Sequence, residues 1–149
     1  MKAQAYLDMM KRQQQELTDF PIAYAFNEKQ LEEALEKLGA TKEECCTYLN
    51  MGDVMKKTDV PAFKAMLKRH TEELQNAMKN EQFAEEAFRY EMDNHEYAIN
   101  WSGDDDVLAA LCLDKQMVKD FCLEDAYRRA RNGHMRYMEV KIMHPLDTM

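Results

Sequence analysis

The sequence predicts a single-domain, mostly helical α+β protein with a central antiparallel helix pair and a small β-hairpin or sheet. Three observations favour this class. The chain has 149 residues, an ordinary length for one domain. Only four glycines and three prolines interrupt it, and apolar residues recur at helical spacing over several long segments. We assign residues 1–144 to the globular domain and 145–149 to a C-terminal tail.

The first predicted helix follows an apolar repeat and ends before a proline. Its repeat has helical spacing and consists of Ala3, Tyr6, Met10 and Leu17. Pro21 disfavours the helical conformation at Phe20, so the helix should end near Thr18. The following segment, FPIAYAF, is apolar and aromatic, which favours a short extended stretch.

The second predicted helix is bounded by cap residues at both ends. Asn27 suits the N-cap position, with Gln30 three residues later as in a capping box. Gly39 suits the C-terminal end, where a left-handed conformation is common. The apolar stripe between these caps consists of Leu31, Ala34, Leu35 and Leu38.

The segment from residue 41 to residue 59 carries two conflicting patterns. Thr41 and Glu44 form a second capping-box pattern, which favours a helix. The stretches CTYL and VMKK flank residues 50–53 as the arms of a hairpin would. We predict a short helical turn followed by a small hairpin, and the helical alternative for residues 42–57 stays open.

Two long helices should follow and form the central pair. Asp59 and Pro61 both suit a helix start, and this helix should run to about Met78. The next helix should run over residues 81–99. Because the break between them is short, we expect the two helices to pack antiparallel.

The C-terminal third should contain shorter elements. Asp104 begins an acidic first turn, which complements a helix dipole, and Asp114 suits the N-cap of a further helix. The segment HMRYMEVKIM alternates partly between apolar and polar residues and predicts an edge strand.

The net charge of −8 is concentrated in one segment. Residues 81–106 contain nine acids and one base, whereas the remaining 19 acids and 19 bases cancel. A concentrated acidic surface favours a basic partner. We predict an interaction surface formed by Glu85, Glu86, Asp93, Glu96, Asp104, Asp105 and Asp106.

A polar cluster is predicted on the central helix pair. His70 and His95 fall on the apolar faces of the two helices, and Glu91 lies one turn before His95 and level with His70. Such a cluster is either a metal or acid–base centre or a buried hydrogen-bonded network. The HExxH motif and the repeated ExxH of di-iron proteins are absent. We favour the network and expect no metal and no cofactor.

The segment DDVLAALCLDKQMVKDF predicts two helices joined by a short turn, which is the order of elements in a helix-turn-helix DNA-binding motif. Arg128, Arg129 and Arg131 follow it and suit phosphate contacts. The overall acidity opposes nucleic-acid binding.

Neither a membrane segment nor disulfide bonds are expected. The chain contains no run of about 18 apolar residues and begins without the apolar core of a signal peptide. Its four cysteines lack CxxC spacing and predict reduced, mostly buried thiols. We therefore expect a cytoplasmic protein.

Two motifs, YAFNEKQLEEALEKLG and FRYEMDNHEY, resemble a group of small uncharacterised proteins encoded on bacterial phages and other mobile elements. The resemblance covers roughly residues 20–115. It implies a protein that binds and modulates host machinery, and it supplies no catalytic residues.

The sequence therefore favours a small acidic, non-enzymatic protein that acts by protein–protein interaction. We expect a basic host protein as the partner, such as a nucleic-acid-handling or defence protein. A helix-turn-helix-like nucleic-acid-binding regulator is the first alternative, and a metal-dependent enzyme using the His/Glu cluster is the second. The oligomeric state stays open.

Overall fold

The computed structural model of the protein describes residues 3–95 and 103–147, and it confirms a mostly helical α+β class. Three short strands and two 3-10 turns accompany the helices. Within the described residues the α-helices are α1 (Gln4–Asp19), α2 (Glu28–Leu38), α3 (Val60–Ala77), α4 (Glu81–Asn94), α5 (Gly103–Ala110), α6 (Lys115–Asp120) and α7 (Glu124–Asp147).

The chain divides into two compact units. Residues 11–70 form one unit, called here the sheet unit. Residues 1–10 and 71–149 form the other, called the helical unit. Helix α7 continues to Asp147 and so includes residues 145–147 of the predicted C-terminal tail.

The sheet unit contains the predicted hairpin. Strands β1 (Ala23–Tyr24), β2 (Cys45–Cys46) and β3 (Asp53–Lys56) form an antiparallel sheet in the order β1-β3-β2. A 3-10 turn, Lys42–Glu44, precedes β2. The prediction of a short helical turn followed by a hairpin is therefore confirmed.

Helices cover both faces of this sheet. Val54 and Met55 are consecutive residues of β3 and point to opposite faces. Val54 packs in a cluster with Ala23 and the α2 residue Ala34. Met55 packs in a second cluster with the α3 residues Phe63 and Met66. The sheet thus lies between α2 on one face and residues of α3 on the other.

The core of the helical unit is built mainly on α4 and α7. We predicted α3 as the principal partner of α4, but α7 packs most extensively against it. Both helices present small buried residues, Ala84 and Ala87 on α4 and Ala126 and Ala130 on α7. Small side chains let two helices approach closely, whereas a sequence pattern weighted towards large apolar residues overlooks them.

Two predicted boundaries near the C-terminus change. Helix α4 ends at Asn94 rather than Ile99, with His95 as its C-cap, and residues 96–99 of the prediction lie outside the described residues. The predicted edge strand HMRYMEVKIM is wrong, because this segment belongs to α7. Burial at positions 126, 130 and 134 has the four-residue spacing of a helix.

Two predicted N-caps, Asn27 and Asp114, and the predicted helix end at Gly39 are confirmed, whereas Asp59 lies in a 3-10 turn that precedes α3. The side chain of Asn27 accepts a hydrogen bond from the Gln30 N–H at 2.8 Å and begins α2. Asp114 accepts from the Met117 N–H at 2.8 Å and begins α6. Gly39 ends α2 in the left-handed conformation.

Two cysteines adopt the same left-handed conformation as Gly39. Cys112 ends α5 with φ 58° and Cys122 ends α6 with φ 56°. After each cysteine, the N–H of the next residue donates a hydrogen bond to a carbonyl five positions earlier. Leu113 donates to Leu108, and Leu123 donates to Val118. Both cysteines are exposed, so the prediction that the thiols are mostly buried is wrong.

Candidate functional site

A buried aspartate holds the loop between β2 and β3. Asp53 is 1% exposed, and its Oδ2 accepts hydrogen bonds from the N–H groups of Tyr48 and Leu49 at 2.9 and 3.0 Å. Its Oδ1 accepts from the Thr47 hydroxyl at 2.8 Å and from the Met51 N–H at 3.1 Å. Four donors converge on one carboxylate, which gives the loop a defined conformation.

The ionised form of Asp53 is strongly favoured. Burial alone raises the pKa of a carboxyl group. Here the hydrogen bonds from the backbone of Leu49, Met51 and Tyr48 and from the Thr47 hydroxyl outweigh burial and lower the pKa of Asp53 to about 2. The carboxylate therefore stays charged at neutral pH and keeps all four hydrogen bonds.

Large apolar side chains around this loop remain exposed to solvent. Phe26 is 76% exposed, Met51 69%, Tyr24 56% and Leu49 37%. We call these four residues the apolar patch. Contiguous exposed apolar surface in a folded protein marks interaction sites.

Gly52 brings two parts of the patch together. It has φ +80°, a conformation that favours glycine. A Cβ at this position would lie 2.4 Å from Cε1 of Phe26, so the ring occupies the space that any other residue would fill. The Ala25 N–H also donates to the Gly52 carbonyl at 2.8 Å. Phe26 is thereby held next to the loop that carries Met51.

A groove of about 900 Å³ opens beside the patch, and all of its lining lies in the sheet unit. Tyr24, Phe26 and Leu49 line it together with the buried Phe63 and Ala34. Apolar lining with a few polar groups at the margin is typical of binding sites.

The predicted acidic surface is partly used within the chain. Glu85 accepts a hydrogen bond from Arg129 Nε at 2.9 Å, and Glu81 accepts from the same guanidinium at 2.8 Å. Asp93 accepts from Arg89 Nε at 3.2 Å, and its Oδ1 lies 2.5 Å from Nδ1 of the buried His134. The contacts of Arg129 and His134 join α4 to α7, whereas Arg89–Asp93 is a contact within α4.

The remaining predicted acids are placed differently from one another. The Tyr127 hydroxyl donates to Asp104. Asp105 and Asp106 are exposed, and Asp105 lies 3.9 Å from the Lys115 ammonium. Glu86 is half-buried, and Glu96 lies outside the described residues. Of the six described acids of this predicted surface, Glu85, Asp93 and Asp104 thus contact other side chains of the chain.

Two of the three predicted nucleic-acid contacts, Arg128 and Arg129, have ion-pair partners within the chain. Arg128 pairs with Asp125 at 2.8 Å, Arg129 pairs as described above, and Arg131 is half-buried. Helices α5 and α6 do form the predicted helix, short turn and helix.

The predicted polar cluster separates into two contacts. In the sheet unit, His70 Nε2 lies 3.2 Å from Glu16 Oε2, without the alignment of a hydrogen bond. Glu16 also accepts a hydrogen bond from the Arg69 guanidinium at 2.6 Å. Arg69 makes the largest contribution to lowering the pKa of Glu16, and His70 lowers it further. His70 therefore meets a carboxylate that sequence analysis did not select.

In the helical unit, Glu91 meets a tyrosine and the second histidine. The Tyr6 hydroxyl donates to Glu91 Oε1 at 2.5 Å, and His95 Nε2 lies 2.9 Å from Oε2. Burial and the contact with Glu91 raise the pKa of Tyr6. The His95 side chain is 40% exposed, so its predicted inward direction is wrong. Among the side chains that the structure describes, no group of three His, Cys, Asp or Glu residues is arranged to hold a metal ion.

Sequence analysis missed the apolar patch. The segment FPIAYAF was recognised as extended and apolar, but β1 has only two residues, and Tyr24 and Phe26 remain exposed. Met51 follows Asn50, a turn-type residue with φ 56°. An apolar residue inside a predicted turn was the sequence feature that could have indicated exposed apolar surface here.

In the described parts of the chain, no helix has the length and apolarity needed to cross a membrane. Comparison with curated proteins and with solved structures gives no match. A family model does match, over residues 5–132, which is most of the chain. The chain therefore belongs to this family, which is described as a family of unknown function (DUF7659).

Proposed function

We propose that this protein is a non-enzymatic interaction protein that binds a partner protein through the apolar patch. The observation that carries the proposal is the exposure of Phe26 and Met51 beside a loop held by Asp53. Covering apolar surface favours association by about 25 cal/mol per Å². Because the loop is already ordered, little conformational entropy is lost on binding.

The proposed partner is a basic protein. A net charge of −8 attracts a positively charged partner over long range and speeds the encounter. Asp105 and Asp106 are exposed and place part of this negative charge at the surface. We assign the charge to steering and the apolar patch to docking.

The sequence resemblance supports the biological setting of the proposal. In this setting the protein is encoded on a phage or another mobile element and acts in the bacterial cytoplasm. Its partner is then a host protein that handles nucleic acid or serves in defence, and the protein modulates or inhibits it.

The two alternatives from the sequence have weaker support. Direct nucleic-acid binding needs available cations, whereas Arg128 and Arg129 pair with carboxylates of the chain. A metal-dependent enzyme needs converging ligands, whereas His70 and Glu91 have different partners.

The test is affinity capture from host lysate with matched variants. The double variant Phe26→Ser, Met51→Ser removes the two most exposed side chains of the patch. Tyr137→Ser is the control, since Tyr137 is 46% exposed and lies in the helical unit. We expect the wild type and the control to recover the same basic protein, and the patch variant to lose it with an unchanged circular dichroism spectrum.

Retention of that protein at equal yield by the folded patch variant would overturn the proposal. Purified wild type should also leave a pool of duplex oligonucleotides unshifted at low salt. A strong shift there would favour the nucleic-acid alternative, because phosphate attraction is greatest at low salt.

A further inference from the structure

Strand β1 forms an edge of the three-stranded sheet. Its residues Ala23 and Tyr24 pair with Val54 and Asp53 of β3, and the Ala25 N–H donates to Gly52. Backbone groups alternate in direction along a strand. Since those of Ala23 and Ala25 face β3, the N–H and C=O of Tyr24 face the open edge.

The groove runs beside this edge, between the helices that cover the two faces of the sheet. On one side its wall includes Ala34 of α2. On the other side it includes Leu17 of α1 with Phe63 and Leu67 of α3. Tyr24 itself lines the groove, so its outward backbone groups lie where a further strand would pair.

The side of the groove formed by α2 carries two residues of opposite charge. Glu33 and Lys37 both line the groove, and within the described residues neither has an ion-pair partner. Four residues of helix span about 6 Å. Side chains two positions apart on one face of a strand are separated by about 6.7 Å, which is a close match.

We propose that the groove beside β1 takes an extended segment of the partner protein as an additional strand of the sheet. This inference rests on the proposed function and specifies how the partner docks. The segment exchanges backbone hydrogen bonds with Tyr24. It presents a basic and an acidic residue, two positions apart, to Glu33 and Lys37, and directs the intervening apolar side chains towards Leu17 and Phe63.

The test uses the full-length protein and a fluorescein-labelled peptide, TVKVEVT, followed by fluorescence anisotropy. The peptide alternates apolar and charged positions as the groove requires. We expect saturable binding. Methylating the backbone nitrogen of the central valine should weaken it roughly tenfold, as expected for the loss of one backbone hydrogen bond.

A charge change on the groove wall tests the register of the segment. Lys37→Glu leaves two acids on the wall, so this variant should bind TVKVEVT more weakly and TVKVKVT more tightly than the wild type does. Lys29→Glu is the matched control, because Lys29 is exposed on α2 and does not line the groove. It should leave the preference between the peptides unchanged.

Absence of TVKVEVT binding would overturn the inference, and so would binding that is indifferent to backbone methylation. Tighter binding of an amphipathic helical peptide would overturn it as well. If the peptide fails while Phe26→Ser, Met51→Ser still abolishes capture of the partner, the proposed function stands and strand addition is wrong. If that variant retains the partner, the proposed function itself has failed.

Discussion

Among the described residues, each compact unit buries one carboxylate, and the two are satisfied in different ways. Asp53 of the sheet unit accepts its hydrogen bonds from residues at most six positions earlier, mainly from backbone N–H groups. Glu91 of the helical unit accepts from the side chains of Tyr6, 85 positions earlier, and His95. The first arrangement orders a loop, whereas the second links two helices.

The two units also differ in their exposed aromatic residues. In the helical unit, Tyr90 packs edge-on against Tyr6 at 5.8 Å, and the Arg89 guanidinium lies over the Tyr137 ring at 5.8 Å. In the sheet unit, Tyr24 and Phe26 are more exposed than either of these tyrosines. The short strand β1 and the loop next to it therefore leave large side chains available for contacts outside the chain.

Removing the charge of Asp53 should have the largest effect on stability. Asp53→Asn places an NH2 group against backbone donors, and we expect the free energy of unfolding to fall by about 3 kcal/mol. Urea denaturation measures the change. Asp19→Asn is the control, since Asp19 is exposed and accepts from Gln15. A loss as small as that of the control would show that the loop does not depend on this carboxylate.

Acid should remove the same contribution in the wild type. The pKa of Asp53 is about 2 in the fold against an ordinary value of 3.8. Because folding lowers this pKa, its contribution is complete above pH 3.8 and is lost as the pH falls through 2. The loss amounts to about 2 kcal/mol.

Unfolding free energies measured from pH 5 down to 2 should therefore decline more steeply for the wild type than for Asp53→Asn. Parallel profiles would contradict the assignment of the lowered pKa to Asp53.

The hydrogen bonds of Glu91 should contribute less to stability than those of Asp53. Glu91 accepts only two, one from Tyr6 and one from the half-exposed His95. Glu91→Gln and Tyr6→Phe should each cost about 1.5 kcal/mol. The double variant should cost less than the sum of the two, since Tyr6→Phe removes the donor and Glu91→Gln the charged acceptor of the same hydrogen bond. If the costs of the two single variants add up to that of the double variant, the contact is not stabilising. Glu139→Gln is the control, since Glu139 is exposed.

The smallest effect should come from the helix ends. Cys112→Gly and Cys122→Gly should each raise stability by about 0.5 to 1 kcal/mol, because glycine adopts the left-handed conformation without a steric penalty. Cys112→Ser should bring no gain. Gly39→Ala should show the reverse change, since a Cβ there meets no atom within 4 Å and only the conformation is disfavoured.

Sequence patterns predicted the parts of the fold that depend on neighbouring residues. The Asn27 and Asp114 caps, the Gly39 helix end and the hairpin after residue 44 are all confirmed. Each depends on groups within a few positions of one another. The residues that determine a cap or a turn lie next to it in the sequence, so a short sequence pattern is enough to predict it.

The parts that depend on distant residues were not predictable in this way. The pairing of α4 with α7 uses alanines, which a large apolar stripe does not reveal. His70 was matched to Glu91 by counting along two helices, yet its neighbour is Glu16 of α1. The apolar patch depends on β1 being only two residues long and on a loop that exposes Met51.

The contact between Phe26 and Gly52 has a consequence for sequence variation within the family. A residue with a Cβ at position 52 would be strained by its positive φ and would collide with the ring 2.4 Å away. Such a substitution is tolerated only if the aromatic ring leaves the space. Family members with a side chain at position 52 should therefore either turn the aromatic ring of position 26 away from this loop or carry a smaller residue there.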